Sequence, residues 1–313
     1  MLENKQKIYE LVIIGAGPAG LSASIYASRY KIEHLVIGKI LGGMATEAYE
    51  IKNYPGIENI TGLELADKMI EHAKRSGALF LEDEVLTIDR EDGRIFIVKT
   101  KKNNQILSRR IILAMGASRA QLNVPGEKEF WGKGVTYCAT CDAPLYRDKI
   151  VAVVGGGDSA FSSAVLLANY TQKIYLIHRS ENFRAQKAWQ NQLDSLGNKI
   201  TKILNNEVKE IKGDKVLRKI FLKNPYQGNQ ELELDGLFIE IGSLPNSELA
   251  RSMGVEIDNK HQIKITNKGR TNLKGVYGAG DITNLTRLKQ VVVAAAQGAI
   301  ASYSVFEDIK TGL

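Results

Sequence analysis

Apolar residues along this 313-residue chain fall into short unbroken blocks closed by glycine, and two sets of blocks echo each other. Residues 9–15 (Tyr-Glu-Leu-Val-Ile-Ile-Gly) read as a strand buried on both faces, because an apolar run without alternation suits a parallel sheet. Gly15-Ala16-Gly17-Pro18-Ala19-Gly20 follows, then a helix over 21–30 and a strand over 34–38. The same order returns 140 residues on: a strand over 150–155, Gly155-Gly156-Gly157-Asp158-Ser159-Ala160, a helix over 161–170 and a strand over 174–178. A second echo links 110–116 (Arg-Ile-Ile-Leu-Ala-Met-Gly) with 236–242 (Gly-Leu-Phe-Ile-Glu-Ile-Gly), each near a proline, Pro125 and Pro245. These look like crossings between domains. A further strand closes in Gly278-Ala279-Gly280-Asp281, and a helix runs from about Val291 to Asp308. The pattern predicts an α/β chain of two Rossmann-like dinucleotide-binding domains, the second inserted into the first: 1–118 plus 247–313, and 119–246.

A glycine loop that follows a buried strand and opens a helix is the context for binding a dinucleotide. The first glycine makes the tight turn, the second admits the pyrophosphate, and the third, or an alanine, lets helix and strand pack closely. The helix start then offers free N–H groups and partial positive charge. Neither copy has an acidic residue where one would hold a ribose 2′-hydroxyl. The first strand pair ends at Gly38-Lys39, the second at His178-Arg179 with Arg184 beyond. Arginines there favour a ribose carrying a 2′-phosphate, so the insert points to NADP(H). FAD suits the first domain. It is long enough to run from Gly15–Gly20 to Gly280-Asp281, with the start of the last helix near Gln290 facing the ring.

Composition narrows the class. Apolar residues make up 44% and charged residues 25%, as in ordinary globular proteins. Met1 to Lys7 is charged and lacks the pattern of a secretion signal, and the run Val291 to Ala296 is too short to span a bilayer. A cytoplasmic protein is expected. The net charge of +7 reads as a solvated basic surface, and Lys101-Lys102 and Arg109-Arg110 are too short to indicate nucleic acid. The only two cysteines stand together in Cys138-Ala139-Thr140-Cys141-Asp142, between the two glycine loops. A pair at this spacing in the cytoplasm is half a metal site or a redox dithiol. A metal needs further ligands, and His34, His72, His178 and His261 are scattered, so the redox reading is preferred. Asp142 supplies an adjacent carboxylate for moving protons.

These motifs, with Asn53-Tyr54-Pro55-Gly56, occur in one order that resembles the low-molecular-weight thioredoxin reductases of bacteria and archaea. The resemblance covers nearly the whole chain. It implies a homodimeric flavoprotein that passes electrons from NADPH through FAD to a Cys138–Cys141 disulfide and on to thioredoxin. It also implies that the two domains rotate to present the dithiol alternately. Cys141 would take electrons from the flavin, Cys138 would attack the substrate disulfide, and Asp142 would donate and accept protons. FAD would be held by Gly15, Gly17, Pro18, Ala19, Gly20, Gly43, Met44, Thr46, Asn53, Gly116, Gly280, Asp281, Lys289 and Gln290. NADPH would be held by Gly156, Gly157, Asp158, Ser159, Ala160, His178, Arg179 and Arg184.

The chain departs from the family pattern at Ser180, where a second arginine is usual, and at Ser162-Ser163, where many relatives carry acidic residues. It departs again at Lys289, usually arginine, and at Met44, usually glutamine. Related enzymes with altered insert motifs use ferredoxin, a deazaflavin or an unidentified donor. A small-molecule dithiol oxidase, or a scaffold that keeps the fold without the chemistry, are the competing classes.

Overall fold

The structure is a computed structural model that describes residues 7–48, 51–91, 93–286 and 288–312. Residues 1–6 of the charged leader lie outside the described residues. The chain divides into two compact units, Met1–Ser118 with Pro245–Leu313, and Arg119–Leu244.

The first unit is built on a five-stranded parallel sheet. Its strand order is Val276–Gly278, Ile111–Leu113, Leu11–Ile14, His34–Gly38 and Leu79–Glu82. Successive residues of a strand face opposite ways, so each apolar run feeds two cores. Leu11, Ile13, Val36 and Ile112 pack on Ala19, Ala23 and Ala27 of the helix Pro18–Arg29 and on Ala294, Ala301 and Val305 of the helix Val291–Thr311. Val12, Ile14, Ile37 and Leu113 pack on Phe96 and Val98 of a second sheet. That sheet has antiparallel strands at Val85–Glu91, Ile95–Thr100 and Gln105–Ser108, with Ile8–Tyr9 added in parallel.

The second unit repeats the plan. Its parallel sheet runs Val135–Thr136, Gly236–Ile239, Ile150–Val154, Lys173–Ile177, Ile200–Ile203. Val151, Val153, Ile174 and Leu176 meet Phe161, Ala164 and Leu167 of the helix Asp158–Leu167. Ala152, Val154 and Ile177 meet Ile211, Leu217, Ile220 and Leu222 of an antiparallel sheet over Val208–Gly213, Leu217–Tyr226 and Asn229–Glu233. In both units the antiparallel sheet interrupts the chain between the third and fourth parallel strands, counted from the glycine loop.

Both loop helices begin three residues earlier than the hydrophobic pattern predicts. Gly17 and Gly157 are extended N-caps, so Pro18 and Asp158 are already helical. Proline at the first helical position is preset for the helix, and an acidic residue there suits the positive helix start. Among the described residues no helix is long and apolar enough to cross a membrane.

Candidate active site

In the second unit the edge strand Val135–Thr136 leads directly into the dithiol segment. Cys138 is the N-cap of a single turn over Ala139–Asp142 and is joined to Cys141 by a disulfide, the Cα atoms 5.4 Å apart. The Cys141 N–H donates to Cys138 Sγ at 3.2 Å, a bond that favours negative charge on that sulfur after reduction. Cys141 is exposed, while Cys138 and Asp142 are half-buried. The Asp142 N–H donates to Cys138 O at 3.2 Å, and Asp142 Oδ2 accepts from the Thr136 hydroxyl at 2.5 Å. Thr136 Oγ1 in turn accepts the Cys138 N–H at 3.1 Å.

Two tyrosines flank the pair. Tyr137 donates to Glu127 Oε1 at 2.6 Å, and burial together with that carboxylate raises its pKa, so it stays protonated. Burial, reinforced by Asp142 and Asp235, pushes Tyr146 up to about 12. Asp142 is therefore the carboxylate the fold leaves beside the cysteines. Glu127 is spent on Tyr137 and on the N–H groups of Leu122 and Asn123.

The glycine loop of the same unit has its own packing logic. A Cβ on Gly155 would meet Glu240 O at 2.2 Å, whereas one on Gly157 would meet nothing within 4 Å. Gly157 thus opens the face where a phosphate can approach. A Cβ on Gly156 would strike the His178 ring at 2.2 Å. His178 is buried and stacks on Phe183, with its Nε2 2.8 Å from Ser180 Oγ and 3.3 Å from Asn182 O. Burial, helped by the charges of Arg184 and Arg179, lowers its pKa, so the neutral ring props the loop. The Arg184 and Ala185 N–H groups both donate to Gly156 O, and Asp158 accepts from the Gln186 backbone and side chain. The guanidiniums of Arg179 and Arg184 are exposed and form no ion pair among the described residues, which suits an incoming phosphate. Ser159 is exposed at the helix start, and Ala160 is fully buried.

In the first unit Gly15 and Gly20 cannot carry side chains. Their Cβ atoms would lie 2.1 Å from Ala114 O and 1.8 Å from Gly15 O. Gly17 has only Gly43 Cα (3.9 Å) and Gly42 O (4.0 Å) near its missing side chain, so this loop and the turn Gly43–Glu47 approach each other through glycine backbone alone. Thr46 Oγ1 donates to Gly43 O at 2.9 Å and closes that turn; Met44 is exposed on it. Gly116 (φ +60°) lies just beyond the strand Ile111–Leu113, with open space around it. Asn53 Nδ2 donates to Gln290 Oε1 at 2.8 Å, which brings two predicted flavin residues together at the N-cap of the last helix. That 21-residue helix has no acidic side chain in its first turn, so its start offers unopposed N–H groups.

Gly280 adopts φ +82° with its missing Cβ 2.9 Å from Ala19 Cβ, which places Asp281 at the loop. Burial raises the Asp281 pKa, opposed by Lys289. Lys289 Nζ donates to Thr283 O at 2.7 Å, and burial lowers its pKa against the pull of Asp281 and Asp258. The side-chain-free surface at Gly17 and Gly43, with the Asn53–Gln290 pair and the unopposed start of the last helix, suits a dinucleotide.

Comparison with known proteins agrees with this geometry. The pyridine nucleotide-disulphide oxidoreductase family matches residues 9–298. The chain is 37% identical to the thioredoxin reductase of Bacillus subtilis over 310 residues, covering 96% of this chain and 95% of that protein. The chain belongs to the thioredoxin reductase family. The solved thioredoxin reductase of Lactococcus lactis aligns with a TM-score of 0.91 at 33% identity, covering 97% and 99% of the two chains. A ferredoxin-flavin thioredoxin reductase from Clostridium acetobutylicum aligns at 0.53 and 34% identity, covering 97% and 99%. Members of this family are flavin- and pyridine-nucleotide-linked disulfide oxidoreductases.

The polar departures from the family pattern each have a local partner, whereas Met44 is exposed. Ser180 is engaged with His178, Ser163 donates to Glu240 Oε1 at 2.9 Å, Ser162 donates to Ser159 O at 3.1 Å, and Lys289 holds Thr283. Glu240, passed over in the sequence, is buried, and also accepts from Arg119 at 2.9 Å. Gln297 is a second such residue. It is buried on the last helix, and its Oε1 accepts from the Gly280 N–H at 2.8 Å and lies 2.9 Å from the Thr283 hydroxyl. Its signal in the sequence is an amide inside the apolar run 291–301.

Proposed function

We propose that this member of the thioredoxin reductase family takes electrons from NADPH, carries them through FAD, and delivers them to a thioredoxin by way of Cys138 and Cys141. The observation that carries the reading is the disulfide at Cys138–Cys141 beside Asp142, in one unit with a glycine loop flanked by two exposed arginines. FAD supplies two-electron transfer between a nicotinamide and a disulfide. Gly15, Gly17, Pro18, Ala19, Gly20, Gly43, Met44, Thr46, Asn53, Gly116, Gly280, Asp281, Lys289 and Gln290 would hold it. Gly156, Gly157, Asp158, Ser159 and Ala160 would receive the NADPH pyrophosphate, with His178 as a prop and Arg179 and Arg184 on the 2′-phosphate.

The dithiol then works as follows. Cys138, as thiolate, attacks one sulfur of the thioredoxin disulfide, forming a mixed disulfide and releasing one thioredoxin thiolate. Cys141 displaces the other, so the Cys138–Cys141 bond re-forms and thioredoxin leaves with two thiols. Asp142 is the adjacent group for supplying and taking the protons. The likeness to thioredoxin reductases also supports a homodimer in the cytoplasm.

Overall identity does not separate the electron donors, because the Lactococcus and Clostridium enzymes stand at 33% and 34%. The retained arginines and the open Gly157 favour NADPH. Anaerobic titration tests it: NADPH bleaches the flavin and added thioredoxin restores the colour. Failure to bleach at millimolar NADPH, with bleaching by reduced ferredoxin, refutes the donor assignment and leaves the dithiol assignment standing.

A further inference from the structure

We propose that Thr136 is a positioning residue that sets the Asp142 carboxylate for proton exchange with the dithiol. This rests on the reading above that Asp142 handles those protons. Thr136 is 5% exposed on the edge strand, where it is paired in register with Phe238. The direction of its two hydrogen bonds is fixed by chemistry. The Cys138 N–H can only donate, so Thr136 Oγ1 accepts it, and the single hydroxyl hydrogen is left for Asp142 Oδ2. Asp142 Oδ1 has no protein hydrogen-bond partner among the described residues. One carboxylate oxygen is therefore pinned and the other is left for exchange. The Asp142 charge also acts on Tyr146, which burial keeps protonated.

The same hydroxyl thereby joins the backbone of the attacking cysteine to the carboxylate, across a segment where helix geometry alone is too short to fix either. A purely structural residue on an edge strand would need only β-branching, which valine supplies equally well. The hydroxyl is what valine lacks.

The test compares Thr136→Val, Thr136→Ser, Asp142→Asn and the double variant Thr136→Val/Asp142→Asn in thioredoxin-dependent turnover by the full flavoprotein. Thr136→Val is expected to lower kcat about tenfold in the wild-type background, the size of one lost charge-assisted hydrogen bond. The penalty is expected to shrink below about twofold once Asp142 is already asparagine, since interacting residues are non-additive. Thr136→Ser is expected to restore most of the rate. Wild-type turnover by Thr136→Val, failure of serine to do better than valine, or an undiminished penalty in the Asp142→Asn background each overturns the proposal. If Asp142→Asn itself turns over like wild type, the proton role of Asp142 fails instead. Should the valine variant lose its flavin, alanine replaces it in the same cycle, with the same outcomes deciding.

Discussion

Replacing Gln297 with leucine tests whether the last helix holds the turn before Asp281, where the proposed flavin site lies, through one buried amide. Gln297 Oε1 is the acceptor for the Gly280 N–H, and Gly280 sits at φ +82° immediately before Asp281. The Thr283 hydroxyl lies 2.9 Å from Gly280 O as well as from Gln297 Oε1, so it keeps a partner when the amide is removed. The net change is one buried backbone donor without an acceptor, which costs about 1–3 kcal/mol. Leucine is similar in volume, so cavity formation adds little.

That cost falls on the turn carrying Asp281, so it is expected to weaken flavin binding by about 5- to 150-fold. The assay is flavin affinity by equilibrium dialysis, alongside the temperature at which flavin fluorescence is released. In a unit of this size 1 kcal/mol corresponds to about 2–4 °C. Wild-type affinity and release temperature in Gln297→Leu would refute the reasoning, because they would mean that Gly280 finds another acceptor. A drop in the stability of the flavin-free protein with unchanged affinity would assign the amide to folding alone.

Two other predictions follow from the charges. Arg184→Ala keeps its N–H bond to Gly156, so the loop stays closed; it is expected to weaken NADPH about tenfold, one exposed charge-assisted contact, and to leave NADH unaffected in the same titration. An equal loss for both nucleotides would place Arg184 away from the 2′-phosphate. His34 is buried with Nδ1 2.9 Å from Ile32 O and no partner for Nε2 among the described residues, and burial lowers its pKa from 6.5. The unfolded chain then binds the proton more readily than the fold, so stability is lost as pH falls below about 6.5. His34→Asn, which can still donate near the Nδ1 position, is expected to flatten the fall in flavin-release temperature between about pH 6.5 and 5; an identical fall would clear His34.

The parallel sheets were legible because unbroken apolar blocks and glycines at fixed spacing leave few alternatives. Gly15 and Gly155 face the carbonyls of Ala114 and Glu240, so no other residue fits either place. The antiparallel sheets over 85–108 and 208–233 were not legible as units of the fold. Their strands interleave Lys, Arg and Glu with apolar residues, and several outer positions are exposed, so they resemble solvated loops. Glu240 was missed for a different reason: its partner Ser163, 77 positions away, meets it only once the sheet is closed. Thr136 lies two and six positions from its partners Cys138 and Asp142, but a threonine in a short strand reads simply as a β-branched residue, and Gln297 as a single amide in an apolar helix.

The internal repeat also shows where the two units parted. Ala114 and Glu240 hold equivalent places, each with its carbonyl oxygen where a side chain on the first glycine would have to go. The steric demand on the glycine is the same and is made by main-chain oxygen in both places, which leaves the side chains free to diverge. Alanine adds no polar group in the first unit. Glutamate in the second is drawn into a buried network with Ser163 and Arg119. A buried carboxylate is costly unless paired, so Glu240 ties its strand to the helix that opens at Gly157 and to the strand leaving through Arg119. The glycines therefore report that both loops can receive a dinucleotide. Which dinucleotide, and how firmly the loop is held, depends on side chains that the glycine pattern does not constrain.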